Sequence, residues 1–195
     1  ETGYPVSFRA DTGNQAGSAI ANTLRQIGGG DFLLAPSSLT PGSLYAGDYT
    51  AQRLEESIQS SGNHLNTAQL TGAEIREIVR LAVEGYGYHN DPFSNQTLPI
   101  VSGLVMEVEK TTEGSYHLVD LKTESGALED GESYSFIIAD LTNGAKPLAE
   151  QALGEGGFDR FTTSEEYART LWVNYLLSGE QPVPASTYIT LRDTK

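Results

Sequence analysis

The chain has 195 residues, 26 acidic against 12 basic, a net charge of −14 at pH 7 and no cysteine. Its basic residues never stand side by side, so neither nucleic acid nor an anionic membrane surface is expected as a partner. Without cysteine there are no disulfides and no thiol chemistry, and no apolar run approaches the ~20 residues of a membrane span, so no membrane insertion is expected.

Glu1-Thr2-Gly3 and Thr194-Lys195 resemble residues left by an expression vector. A single domain is therefore expected over residues 4–193, taken from a longer exported bacterial chain. Asn14 to Ile27 reads as a helix, with Ala16, Ile20, Leu24 and Ile27 on one face and Gly28-Gly29-Gly30 as its stop. Phe32 to Leu34 reads as a short buried strand. It empties into Pro36-Ser37-Ser38, the kind of loop where α/β proteins place ligands. A second helix is expected after Thr50, with Leu54 and Ile58 inward.

In "LTGAEIREIVRLAV", Thr71 is an N-cap and Glu74, three residues on, completes a capping box. Ile75, Ile78, Val79 and Ala82 form its apolar stripe. Gly85 to Pro99 reads as a loop. Its Tyr86, Tyr88 and Phe93 either pack locally on the helix end or form a contact surface. The period then changes to two: "LPIVSGLVMEVEK", "YHLVDLKT" and "SYSFIIAD" read as strands, with turns at Thr111–Gly114 and Glu129–Gly131. A last helix is expected from about Thr163, with Glu166 at the box position, to about Leu177. Its core face is Ala168, Leu171, Trp172 and Tyr175, and Ser178-Gly179 is its stop. "STYITLRD" closes as a strand. The sum is a layered mixed α/β domain with no linker and no repeat.

Five stretches in order resemble the C-terminal domain of the 5′-nucleotidase family, which includes UDP-sugar hydrolases and 2′,3′-cyclic-nucleotide phosphodiesterases. They are "AGSAIANTL", "AGDYT", "GNHLNTAQLTGAEI", "LPIVSGL" and "EGGFDRF". The resemblance implies a layered α/β fold. It also implies that two divalent metals and the hydrolytic chemistry belong to a separate N-terminal metallophosphatase domain, the expected partner, and that this chain holds no cofactor and no catalytic residue. The family's C-terminal domain recognises substrate with an Asn-Gly-Gly-x-Arg loop and two aromatic rings that clamp a base. Here Pro36-Ser37-Ser38-Leu39 stands where that loop should be, and Ser61 stands where the first ring should be. The second ring falls in Gly156-Gly157-Phe158-Asp159-Arg160-Phe161, which makes Phe158, Asp159 and Phe161 the candidate ligand-binding residues.

Two patterns imitate chemistry. Gly62-Asn63-His64 resembles the start of a metallophosphatase signature, but a two-metal centre needs about six His, Asp and Asn ligands, and the chain has three histidines. Glu55-Glu56 and Glu165-Glu166 read as solvated faces. The expected function is a non-catalytic substrate-recognition domain of an exported 5′-nucleotidase-like phosphohydrolase, inert alone. The alternative is a degenerate copy that binds a protein or glycan at the cell surface, with a host or surface protein as partner. The expected location is extracellular, periplasmic or on the cell wall.

Overall fold

A computed structural model describes residues 15–39, 56, 58, 62–85, 98–112, 114–140, 142–184, 186 and 188–192. Chain order is α1 (Gln15–Gly28), β1 (Phe32–Ala35), a 3-10 turn (Ser37–Leu39), β2 (His64–Thr71), α2 (Gly72–Glu84), β3 (Ile100–Ser102), β4 (Leu104–Lys110) and β5 (Tyr116–Thr123). It continues with β6 (Gly126–Ala127), β7 (Ser133–Asp140), α3 (Thr142–Leu153), a 3-10 turn (Gly157–Arg160), β8 (Thr162–Tyr167), α4 (Ala168–Leu177) and β9 (Ile189–Arg192). The architecture is a layered mixed α/β domain, as the sequence leads one to expect.

One sheet has the order β3-β1-β7-β2-β8, with β1 and β7 parallel and the other neighbours antiparallel. The second has the order β6-β5-β4-β9, with β4 and β9 parallel. Phe136, Ile137, Ile138 and Ala139 of β7 are all fully buried, so helices cover the first sheet on both faces. α1 and α4 pack together on the Leu65 side, while α2 and α3 pack together against β2 and β7.

Local signals worked where the determining contacts are local. Ile20 and Leu24 of α1 are fully buried. Thr71 caps α2, and the box is complete: the Glu74 amide donates to Thr71 Oγ1 (3.3 Å), and the Thr71 amide donates to Glu74 Oε2 (2.8 Å). Ile75, Ile78, Val79 and Ala82 are fully buried beneath it.

Three departures have physical causes. Residues 162–167 are strand, not the first turn of a helix, and α4 starts only at Ala168. Thr162 and Thr163 are β-branched and pair with Thr67 and Asn66, and Thr163 Oγ1 donates to Asn66 Oδ1 (2.8 Å). Glu166 caps nothing; its carbonyl accepts from Ser164 Oγ (2.7 Å), and no side chain caps α4. "TNGAKPLAEQAL" carries breakers and gives no helical expectation, yet it forms α3 with Pro147 inside it. Burial outweighs propensity there, because Ala145, Leu148 and Ala149 are completely enclosed. "LPIVSGLVMEVEK" is two strands in different sheets. Gly103, at φ +77°, turns the chain from one sheet to the other beneath the Asp31 carbonyl.

Of the helix expected after Thr50, only Glu56 and Ile58 are described, and Ile58 is buried. The "AGDYT" element, Ser61, Tyr86, Tyr88, His89 and Phe93 lie outside the described residues.

Candidate functional site

Because β1 and β7 are parallel, their carboxyl ends open on the same edge of the sheet. β2 runs against β7, and its first residue, His64, sits opposite Asp140. Four pieces of chain converge there: the turn Ser37–Leu39, the Gly62-Asn63 approach to β2, the end of β7 and the β8–α4 junction. Open α/β sheets bind ligands outside the carboxyl ends of their strands. The loop after β1 and the Gly62-Asn63 turn, read separately from the sequence, meet at this edge.

Asn66 pins the edge. Fully buried, its Nδ2 donates to the carbonyls of Ile138 (3.0 Å) and Asp140 (3.3 Å), while its Oδ1 accepts from Thr163. One amide thus ties β2, β7 and β8 together. Asn63 differs: its backbone carbonyl accepts the first amide of α4, from Ala168 (2.7 Å), but its side chain is 1% exposed and neither amide atom has a hydrogen-bond partner among the described residues. A buried amide with free donor and acceptor costs about 1–3 kcal/mol unless water or a ligand satisfies it. His64 is committed to the sheet, its Nδ1 donating to the Ser164 carbonyl (2.9 Å) and its ring 4.7 Å from that of Tyr167. Among the described residues no group of three or more His, Asp and Glu side chains could hold a metal ion. Partly buried Arg169 stands in the first turn of α4. No sequence motif marks it or the enclosure of Asn63.

Phe158, Asp159 and Phe161 belong to a different place. Their 3-10 turn follows left-handed Gly156 and packs on α3, where a Cβ at Gly157 would press into Leu153 and the Ala149 carbonyl. The rings of Phe158 and Phe161 stack on each other (centroids 5.4 Å apart, planes 14° apart), and Phe161 is only 9% exposed. Asp159 is exposed. Thr162 pairs with Thr67, so the turn lies beside Ala68 and Gln69. That is some five residues along β2 from Asn63, about 17 Å at ~3.3 Å per residue. The structure therefore does not bring these three residues to the strand-end edge.

Arg160, which lies between Phe158 and Phe161 in the sequence, anchors the turn. It donates to both oxygens of Glu74 (2.6 and 3.2 Å) and to the Gln69 carbonyl (3.0 Å). Chiefly through the Arg160 hydrogen bond, with help from Thr71 and against a smaller opposing effect of burial, the Glu74 carboxyl is lowered to a pKa of about 2.

Near Arg160 opens a cleft of about 840 Å³. β2 and β8 form its floor through Leu65, Thr67, Gln69, Thr162 and Ser164, and Ile27, Gly28 and Leu171 wall it from α1 and α4.

No family model and no curated protein matches the sequence. Solved structures do match. A 5′-nucleotidase precursor from Thermus thermophilus superimposes with a TM-score of 0.64 at 18% identity, over 93% of this chain and 36% of its own. The chain has the fold of the 5′-nucleotidase C-terminal domain. The NAD nucleotidase of Haemophilus influenzae gives a TM-score of 0.67 at 14% identity, over 93% of this chain and 34% of its own. The sulfate thiohydrolase SoxB of Thermus thermophilus gives 0.56 at 15%, over 91% and 32%. The chain spans about a third of the length of each. A 5′-nucleotidase-type C-terminal fold thus occurs in proteins named for three different hydrolytic substrates, so the fold leaves the ligand to be argued from the site.

Proposed function

We propose that this chain is the recognition domain of a two-domain, exported 5′-nucleotidase-like hydrolase, without catalytic activity of its own. The observation that carries this reading is the strand-end edge. There the loop after β1, the turn before β2 and the β8–α4 junction converge around the enclosed, unpartnered amide of Asn63. A side-chain amide offers one donor and one acceptor side by side, the pattern that the edge of a nucleobase or another amide completes. In this reading the parent's metals sit in an N-terminal domain, its partner. Export is supported by the word "precursor" in the name of the Thermus relative, and no described helix is long and apolar enough to cross a membrane.

Pro36-Ser37-Ser38 offers no charged fork and Ser61 no ring. Losing a charged hydrogen bond costs about 1.5–3 kcal/mol and losing a stacking ring about 1–3 kcal/mol. Adenosine and AMP are therefore expected to bind in the millimolar range at best. The catalytic half of the proposal is tested by incubating the pure chain with AMP, cyclic nucleotides and UDP-glucose in Mn²⁺, Zn²⁺ or Co²⁺. No phosphate release is expected, and metal-dependent turnover that copurifies with the chain would refute it.

A further inference from the structure

The cleft between α1, α4 and the β2–β8 floor begins at Leu65 and Ser164, beside the strand-end edge, and runs along β2 to Gln69, and its lining has a chemistry of its own. Thr67 and Thr162 stand directly opposite each other on neighbouring strands. No described residue hydrogen-bonds either hydroxyl. Cross-strand partners place their Cβ atoms about 5 Å apart, so the two hydroxyls present a paired edge, extended by the Gln69 side chain. Beside them on the floor is Leu65, and the walls add the aliphatic side chains of Ile27 and Leu171.

Two ligand classes fit poorly. Among the described residues no aromatic side chain lines the cleft, so none of them offers a planar base a ring to stack on. The cation at the rim, Arg160, already carries Glu74 on both of its terminal nitrogens, and the chain is at −14, so an anion gains little there. The remaining match is an uncharged, saturated ring with hydroxyls on its edge and C–H groups on its face. The volume of about 840 Å³ falls within the ~300–1,000 Å³ of small-molecule sites.

We infer that this cleft binds a neutral sugar unit, its hydroxyls on Thr67, Gln69 and Thr162 and its C–H face on Leu65 and Leu171. This goes beyond the recognition role proposed for the strand-end edge and does not depend on it. The test is a ¹⁵N–¹H titration of the whole chain with maltose, cellobiose and N,N′-diacetylchitobiose, into the tens of millimolar. Saturable shifts are expected at residues 65–69, 162–164 and 171, with at least one of the three sugars binding in the millimolar range. Thr162→Val keeps shape and fold at an exposed position and should weaken that binding roughly tenfold, about 1.4 kcal/mol. Silence with all three sugars, shifts elsewhere, or unchanged binding by Thr162→Val overturns the inference. Adenosine shifting these same residues would also overturn it, by making the cleft a nucleoside site. Shifts confined to residues 37, 63, 64 and 140 belong to the strand-end proposal and refute only the sugar assignment.

Discussion

Arg160 holds both carboxylate oxygens of Glu74, across 86 positions of sequence, while Glu74 holds the amide of Thr71. One carboxylate thus closes the N-terminus of α2 and anchors the turn that carries Phe158 and Phe161. Its folded pKa is about 2, below its unfolded value near 4.5. A carboxyl depressed on folding stabilises the protein above its unfolded pKa, and that contribution is lost as pH falls through the folded pKa. Urea midpoints should therefore fall between about pH 4.5 and about pH 2, and the fall should be shallower in Glu74→Gln. Equal slopes for parent and variant would show that the Arg160–Glu74 pair does not contribute.

The Thr71 hydroxyl, which accepts the Glu74 amide, makes a smaller contribution. Thr71→Ala should cost about 1 kcal/mol. Ile78→Ala, at a fully enclosed position, should cost about 2–5 kcal/mol through the cavity it leaves. An Ile78→Ala protein that unfolds at the parent's urea concentration would contradict the packing of α2.

Two glycines are fixed by geometry. A Cβ at Gly72 would stand 2.2 Å from the Glu129 carbonyl oxygen, and one at Gly103 2.5 Å from that of Asp31. Both neighbours are backbone and cannot swing away. Gly103→Ala adds the left-handed penalty of about 1–2 kcal/mol, and Gly72→Ala should be costlier than typical overpacking, about 1–3 kcal/mol. Gly131→Ala meets open space and should change stability by less than about 0.5 kcal/mol. Thermal unfolding of the three variants should rank them so.

The stacked rings give a further contrast. Phe161, nearly enclosed and paired with Phe158, should cost about 3–5 kcal/mol on replacement by alanine. A Phe161→Ala protein that keeps its stability but loses a ligand would make this ring part of a binding site instead.

The sequence carried the elements whose causes are local: the box of Thr71 and Glu74, the apolar stripe of α1, the strand of β5; β7 is strand as expected, but its second half is buried on both faces and does not alternate. It misled where a distant strand decides. Thr163 and Glu166 imitate a helix start, and only the pairing of Thr162, Thr163 and Tyr167 with β2 makes this stretch strand. Pro147 and Asn143-Gly144 conceal α3, which forms because its face is buried. At the site, the Pro36–Leu39 loop and Gly62-Asn63 were legible as positions, because strand ends follow from strand order. The 17 Å or so, at ~3.3 Å per residue of β2, between Asn63 and the Phe158–Phe161 turn was not. It depends on the register of β8, which Asn66 sets by a hydrogen bond to a residue 97 positions away.

We propose the strand-end edge around Asn63 as the recognition site. A ¹⁵N–¹H titration with adenosine tests it most directly. Saturable millimolar shifts are expected at Ser37, Asn63, His64 and Asp140, lost in Asn63→Ala while the fold persists. No saturable shift at those residues, or a micromolar complex centred on Phe158 and Phe161, would contradict it.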